Sequence, residues 1–226
     1  MSLAWLRGAT GGRGEYVLAR KRLVERLAAA GVRDPRVLQA FGEVPRHRLI
    51  PEALRAAAYR DTPLPIGDGQ TISAPGVVAV MTQALALSGP ETVLEVGTGS
   101  GYQAAILSRL ATRVVSIERL PRLAARARSA LDALGVANVV VHLGDGTQGR
   151  PAEAPYQAIV VTAGGPEVPD PLLAQLAPGG RLVGPFGPRG GQELLRVQRR
   201  TDGRLVRERL GSCSFVDLIG THGWAA

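Results

Sequence analysis

Apolar positions along the chain follow first a helical rhythm and then an alternation of short strands with helices. Between residues 16 and 30, Val17, Leu18, Leu23, Val24 and Leu27 recur at three-, four- and five-residue spacing, and Gly31 follows as a stop. This pattern predicts an amphipathic helix. Asp34 as N-cap with Pro35 at the first helical position predicts a second helix that turns Val37, Leu38 and Phe41 inward. A third is expected over residues 51–59. Residues 1–15 are Gly-rich and non-periodic, the pattern of a flexible arm. Residues 61–75 carry Pro63, Pro65, Gly67, Gly69 and Pro75. They are expected to form an irregular covering loop, long enough to suggest a functional role. A helix follows over residues 75–87.

Beyond it, short apolar runs at 92–96, 113–117, 137–142, 158–162 and 181–185 alternate with helical patterns at 102–110, 121–134 and 171–176. Such alternation predicts an α/β fold, doubly wound around a mostly parallel sheet. Residues 193–199 and 204–216 are expected as antiparallel edge strands. The predicted organisation is one domain over 16–226. A small helical N-terminal unit and its covering loop occupy 16–75, and the sheet core occupies 76–226.

Composition narrows the chemistry. With 226 residues and 45% hydrophobic content the chain can bury one substantial core. Cys213 is the only cysteine, and His47, His142 and His222 are scattered, so neither a disulfide nor a metal site is expected. The N-terminal segment is too short for a signal-peptide core, and every apolar run falls below the ~18 residues of a membrane span. These features lead to the expectation of a soluble, cytoplasmic monomer. The net charge of +8 raises nucleic-acid binding, but the basic residues are spread along the chain and Lys21 is the only lysine. Compositional bias accounts for that pattern, so no nucleic-acid partner is expected, though a mild attraction for acidic substrates is.

The strand at 92–96 runs into Glu95-Val96-Gly97-Thr98-Gly99-Ser100-Gly101-Tyr102. Gly97, Gly99 and Gly101 let the backbone turn sharply and approach a ligand at the carboxyl edge of a parallel sheet. A dinucleotide fingerprint would need its last glycine where Tyr102 stands, and no Gly-Lys-Ser/Thr follows, so NAD, FAD and P-loop readings are disfavoured. The remaining pattern, with Glu95 as its acid, resembles the first motif of class I S-adenosylmethionine methyltransferases. A plain structural turn is the alternative. Glu118, about 20 residues on, is placed either to accept ribose hydroxyls or to sit solvated near a helix N-terminus. Gly144-Asp145-Gly146 reads as an adenine site in that methyltransferase class or as an Asp-Gly turn.

Residues 46–52 (Arg-His-Arg-Leu-Ile-Pro-Glu), 58–61 (Ala-Tyr-Arg-Asp), 63–67 (Pro-Leu-Pro-Ile-Gly) and 69–75 (Gly-Gln-Thr-Ile-Ser-Ala-Pro) resemble protein-L-isoaspartate O-methyltransferases closely. The likeness continues through Pro166-Glu167-Val168-Pro169, Ala177-Pro178-Gly179-Gly180 and Ser214-Phe215-Val216. The resemblance implies methyl transfer from S-adenosylmethionine to the α-carboxylate of L-isoaspartyl residues in damaged proteins. The ester then closes to a succinimide that can reopen to normal aspartate. It implies Ser73 as the active-site serine, Gln70, Thr71 and Ile72 along the cofactor cleft, and Val216 beside the substrate. Without the resemblance, Ser73 reads as an N-cap for the helix near Pro75.

Three positions depart from the family pattern. Gly76 stands where a His, Tyr or Phe is usual, Tyr156-Gln157 replaces Tyr-Asp, and Val216-Asp217-Leu218 replaces Val-Pro-Leu. Asp217 is expected to repel an anionic acceptor. The competing readings are a carboxylate methyltransferase for a different peptide aspartate and a nucleic-acid-binding protein.

Overall fold

The computed structural model describes residues 13–225. Most of the predicted flexible arm lies outside them, and its last three residues already belong to helix α1 (Arg13–Ala29). Leu23 and Leu27 of α1 are buried, whereas Val17 and Leu18 face outward. Tyr16 instead anchors the first turn, stacking on His47 with ring centroids 4.0 Å apart. Helix α2 (Pro35–Glu43) starts as expected: Asp34 caps it by accepting the Arg36 backbone N–H, and Val37, Ala40 and Phe41 are buried. The third predicted helix is a 3₁₀ segment, Glu52–Ala57.

The segment expected to be irregular contains a hairpin. Strands β1 (Leu64–Gly67) and β2 (Gln70–Ile72) pair antiparallel around Asp68-Gly69, both at positive φ (52° and 69°). Asp-Gly suits a two-residue turn of this hand, and its dipeptide was the available signal. Alternation then buries Leu64 and Ile66 and leaves Pro65 and Gly67 exposed. Helix α3 (Pro75–Ala84) follows.

A seven-stranded sheet forms the core, in the order β5 (Val139–Leu143), β4 (Arg113–Glu118), β3 (Thr92–Val96), β6 (Tyr156–Val161), β7 (Leu176–Phe186), β8 (Gln192–Arg199), β9 (Leu205–Cys213). The first five are parallel and the last two antiparallel. Between them run α4 (Tyr102–Leu107), α5 (Pro121–Ala133) and α6 (Asp170–Ala174). The order in which strands are added reverses about β3, which pairs with both β4 and β6, and this opens a crevice beyond its carboxyl end. Both sheet faces are covered, as parallel strands require. Val93, Val114 and Val160 join one apolar layer, and Leu94, Val115 and Ile159 the other.

Two details differ from expectation. Strand β7 begins at Leu176, five residues early, so α6 is short and its pairing with β6 shifts register between Tyr156 and Ala158. Strand β9 ends at Cys213, freeing residues 214–225 to cross the carboxyl edge of the sheet. Gln157, at a position of family departure, accepts the Thr92 backbone N–H at 2.8 Å and ties β6 to the start of β3. The side-chain amide of Asn138 donates to the carbonyls of Ser108 and Ala111, each at 3.0 Å, and fixes the turn between α4 and β4. Among the described residues no helix is long and apolar enough to cross a membrane.

Candidate active site

At the carboxyl end of β3 the chain turns through Gly97, Gly99 and Gly101 at φ 96°, 54° and 83°. All three values lie in the left-handed region that side chains with a Cβ disfavour. A Cβ on Gly97 would also collide with the Thr162 hydroxyl at the end of β6. Gly101 faces the interior, against Leu131 and Ala127 of α5. It shapes the turn without reaching the cleft wall.

The loop floors a cleft of about 820 Å³, part of it open to solvent. The hairpin supplies Gln70, Thr71 and Ile72 to one wall, followed by Ser73, and α3 adds Val78 and Met81. Glu118 and Arg119 come from the end of β4, Gly146 from beyond β5, and Val216 to Ile219 from the crossing segment. Gly146 has no room for a side chain, because a Cβ there would lie 2.5 Å from Val96 Cγ1.

Glu118 is buried yet borders this cleft. Its Oε2 accepts the Gly99 backbone N–H at 2.8 Å and its Oε1 accepts that of Leu120 at 3.0 Å. A carboxylate has further lone pairs to offer, so hydroxyl donors can still be received.

Glu95 is placed differently from the sequence expectation. It is wholly buried beneath the glycine loop and does not border the cleft. Ser116 donates its hydroxyl to Glu95, and the Ser116 and Thr98 hydroxyls lie 2.5 Å apart, so a polar chain runs from the buried acid to the loop. Burial pushes the Glu95 carboxyl up to about 8, and the nearby Glu118 charge adds to the rise while the Ser116 hydrogen bond opposes it. At neutral pH this carboxyl is largely protonated. Its position β-in-sheet, one residue before the strand end, points it into the core rather than toward a ligand.

Gly144 and Asp145 border an adjoining hollow with His142, Gln148 and Arg150, and Ile117 is shared between hollow and cleft. Asp145 is a fastening point. Its Oδ1 accepts the Thr147 backbone N–H at 2.9 Å and the Thr147 hydroxyl at 2.6 Å, and its Oδ2 accepts the Thr221 backbone N–H at 2.7 Å. Burial opposes its ionisation, but the bonds from Thr147 and Thr221 prevail and hold it down to about 2. The crossing segment is fastened a second time where Gly164 and Val216 to Leu218 exchange backbone hydrogen bonds.

Ser73 is half-buried on the cleft wall, and it does not cap α3. The N-cap is Ala74, without a side-chain bond, and the Asp61 carboxylate accepts the Gly76 backbone N–H at 2.7 Å instead. A Cβ on Gly76 would come within 2.7 Å of that carboxylate. Asp217 borders the cleft, but its charge is met by Arg189 Nε at 2.8 Å. The expected repulsion is therefore blunted by a partner that sequence spacing gave no means of finding.

A model of the protein-L-isoaspartate(D-aspartate) O-methyltransferase family matches residues 18–223. The chain belongs to this family. It is 55% identical over 210 residues to the protein-L-isoaspartate O-methyltransferase of Geobacter metallireducens, covering 92% of this chain and 97% of that one. To protein-L-isoaspartate O-methyltransferase 1 of Syntrophobacter fumaroxidans it is 56% identical over 207 residues, covering 91% and 96%. A solved protein-L-isoaspartate O-methyltransferase superposes with a TM-score of 0.83 at 32% identity, covering 90% of this chain and 67% of that one. A Plasmodium falciparum β-aspartate methyltransferase, solved in complex with S-adenosyl-L-homocysteine, superposes with a TM-score of 0.77 at 26% identity, covering 88% and 98%. The chain is accordingly an S-adenosylmethionine-dependent O-methyltransferase acting on isoaspartyl residues.

Proposed function

We propose that Ser73 and the glycine loop divide the work of this protein-L-isoaspartate O-methyltransferase between acceptor and donor. The observation that carries this reading is that Ser73, Gly97, Gly99 and Glu118 border one cleft. Glu118 would take the ribose hydroxyls, and the Gly97 to Gly99 backbone would let the cofactor approach. Gln70, Thr71, Ile72 and Gly146 would line its length. Adenine would extend over Ile117 toward Gly144 and Asp145. Glu95 and Gly101 act from behind, supporting the loop's shape. The residues fit the cofactor because the loop lacks Cβ atoms where a ligand must come close, and Glu118 keeps acceptor capacity beside it.

When bound, S-adenosylmethionine supplies an electrophilic methyl group on a sulfonium. The acceptor is a carboxylate, already ionised at neutral pH with a pKa near ~4, so the protein need not supply a general base. What remains is positioning and exclusion of water. Ser73 would donate its hydroxyl to orient the acceptor carboxylate, Val216 would contact the peptide, and the hairpin would cover the reacting atoms. The substrates are damaged proteins and peptides bearing isoaspartate. A cytoplasmic location and a monomeric state belong to the same proposal.

Methyl transfer from labelled S-adenosylmethionine to matched peptides, one isoaspartyl and one aspartyl, tests the assignment. Labelling of the isoaspartyl peptide alone is expected, and labelling of neither while the cofactor still binds would overturn it. Ser73→Ala should cut kcat by roughly tenfold or more, as loss of one orienting hydrogen bond in a desolvated site implies, while leaving S-adenosylhomocysteine affinity close to that of the parent.

A further inference from the structure

Arg189, in the turn between β7 and β8, is held on two sides. Its Nε donates to Asp217 Oδ2 at 2.8 Å, and its guanidinium carbon lies 4.4 Å from the centroid of the Trp224 ring, over the ring face. Trp224 is itself pinned, its indole N–H donating to the Gly164 carbonyl at 2.9 Å. A guanidinium fixed by its Nε edge and one face has lost most of its rotational freedom, while the N–H groups on both terminal nitrogens remain available. They make no hydrogen bond among the described residues, and the Arg189 side chain is 56% exposed.

Arg189 does not itself line the cleft, but its anchor Asp217 does, between Val216 and Leu218, which sets the fork beside it. We propose that Arg189 is a specificity residue that binds an acidic side chain of the acceptor peptide beside the isoaspartate. Asp217 is its positioning residue, aligning the fork while leaving the terminal nitrogens free. The planar fork matches a carboxylate in two-point geometry, which neither a lysine nor an unanchored arginine would present as well. The net charge of +8 acts in the same direction by drawing acidic peptides toward the surface. This inference rests on the isoaspartyl reading of the site and adds which flanking chemistry the site prefers.

The test uses isoaspartyl peptides identical except for Glu, Gln or Lys beside the isoaspartate, with kcat and KM measured for the full chain and for Arg189→Gln. The parent should favour the Glu peptide over the Gln peptide by about fivefold in kcat/KM, a partly exposed charge pair's share, expressed mainly in KM. High salt should shrink that preference. In Arg189→Gln the Glu-to-Gln ratio should fall close to one, and Arg189→Lys should restore part of it. Labelling of the neutral peptide by the parent upholds the isoaspartyl reading itself. A parent ratio near one on peptides that are labelled, a preference for the Lys peptide, or an unchanged ratio in Arg189→Gln would each overturn the rim assignment alone.

Discussion

Glu118 and Gly99 are joined side chain to backbone: the carboxylate that borders the cleft, proposed above to take the ribose, also accepts the N–H in the middle of the glycine loop, at 2.8 Å. Under that proposal, loop shape and cofactor affinity depend on the same side chain. Glu118→Ala removes charge-assisted bonds worth about 1.5–3 kcal/mol each. S-adenosylhomocysteine affinity, measured by calorimetry, should fall at least about tenfold, and Glu118→Gln should fall less. Unchanged affinity in Glu118→Ala would place the ribose acceptor elsewhere.

The buried carboxyl of Glu95 sets a pH slope. Its proton is released near 8 in the folded protein and near the ordinary value of 4.5 in the unfolded chain. Below 4.5 both states carry the proton, and between 4.5 and 8 only the folded state does. Its contribution to stability is therefore full in acid and declines as pH rises toward 8. Denaturant unfolding between pH 5 and 8 should show a shallower decline in Glu95→Gln than in the parent.

Asp145 acts in the opposite sense. With its folded value near 2 against an ordinary 3.8, its stabilisation is present at neutral pH and is lost as pH falls from about 4 to 2. Asp145→Asn should lack this acid-dependent component. Limited proteolysis should also cut residues 214–225 faster in the variant at neutral pH, because the Thr221 attachment is weakened. Equal cleavage in both proteins would argue that the Gly164 pairing alone secures the segment.

Asp61 and Gly76 should be energetically coupled. A methyl group at position 76 displaces the Asp61 carboxylate from the start of α3, and loss of such a cap costs about 1 kcal/mol. Gly76→Ala is expected to destabilise the parent by about that amount and to cost less in an Asp61→Ala background. Additive effects in a double-mutant cycle would disprove the coupling.

The strands and helices of the core were readable because apolar spacing and turn residues agreed at each step, as at Thr92–Val96 and Pro121–Ala133. The hairpin was missed because its prolines and glycines outweighed a four-residue alternation, Leu64 to Gly67. At the site, the glycine loop and Glu118 were legible as local sequence, whereas the 70–73 wall came only through the family resemblance. The burial of Glu95, the fastening role of Asp145 and the Arg189–Asp217 pair were not legible. Each depends on which element packs over another, and a side chain's partner 28 or 76 positions away leaves no local periodicity.

Asn138 is the only asparagine in the chain, and its side-chain amide is held between two carbonyls, with β-branched Val139 following at the start of β5. Isoaspartate arises when the next backbone nitrogen attacks a side-chain carbonyl, which requires freedom that this residue lacks. The enzyme is thereby spared the asparagine route of the damage that it repairs, asparagine being among the residues least durable under heat. Its own ageing is left to exposed Asp-Gly turns such as Asp68-Gly69 at the tip of the covering hairpin.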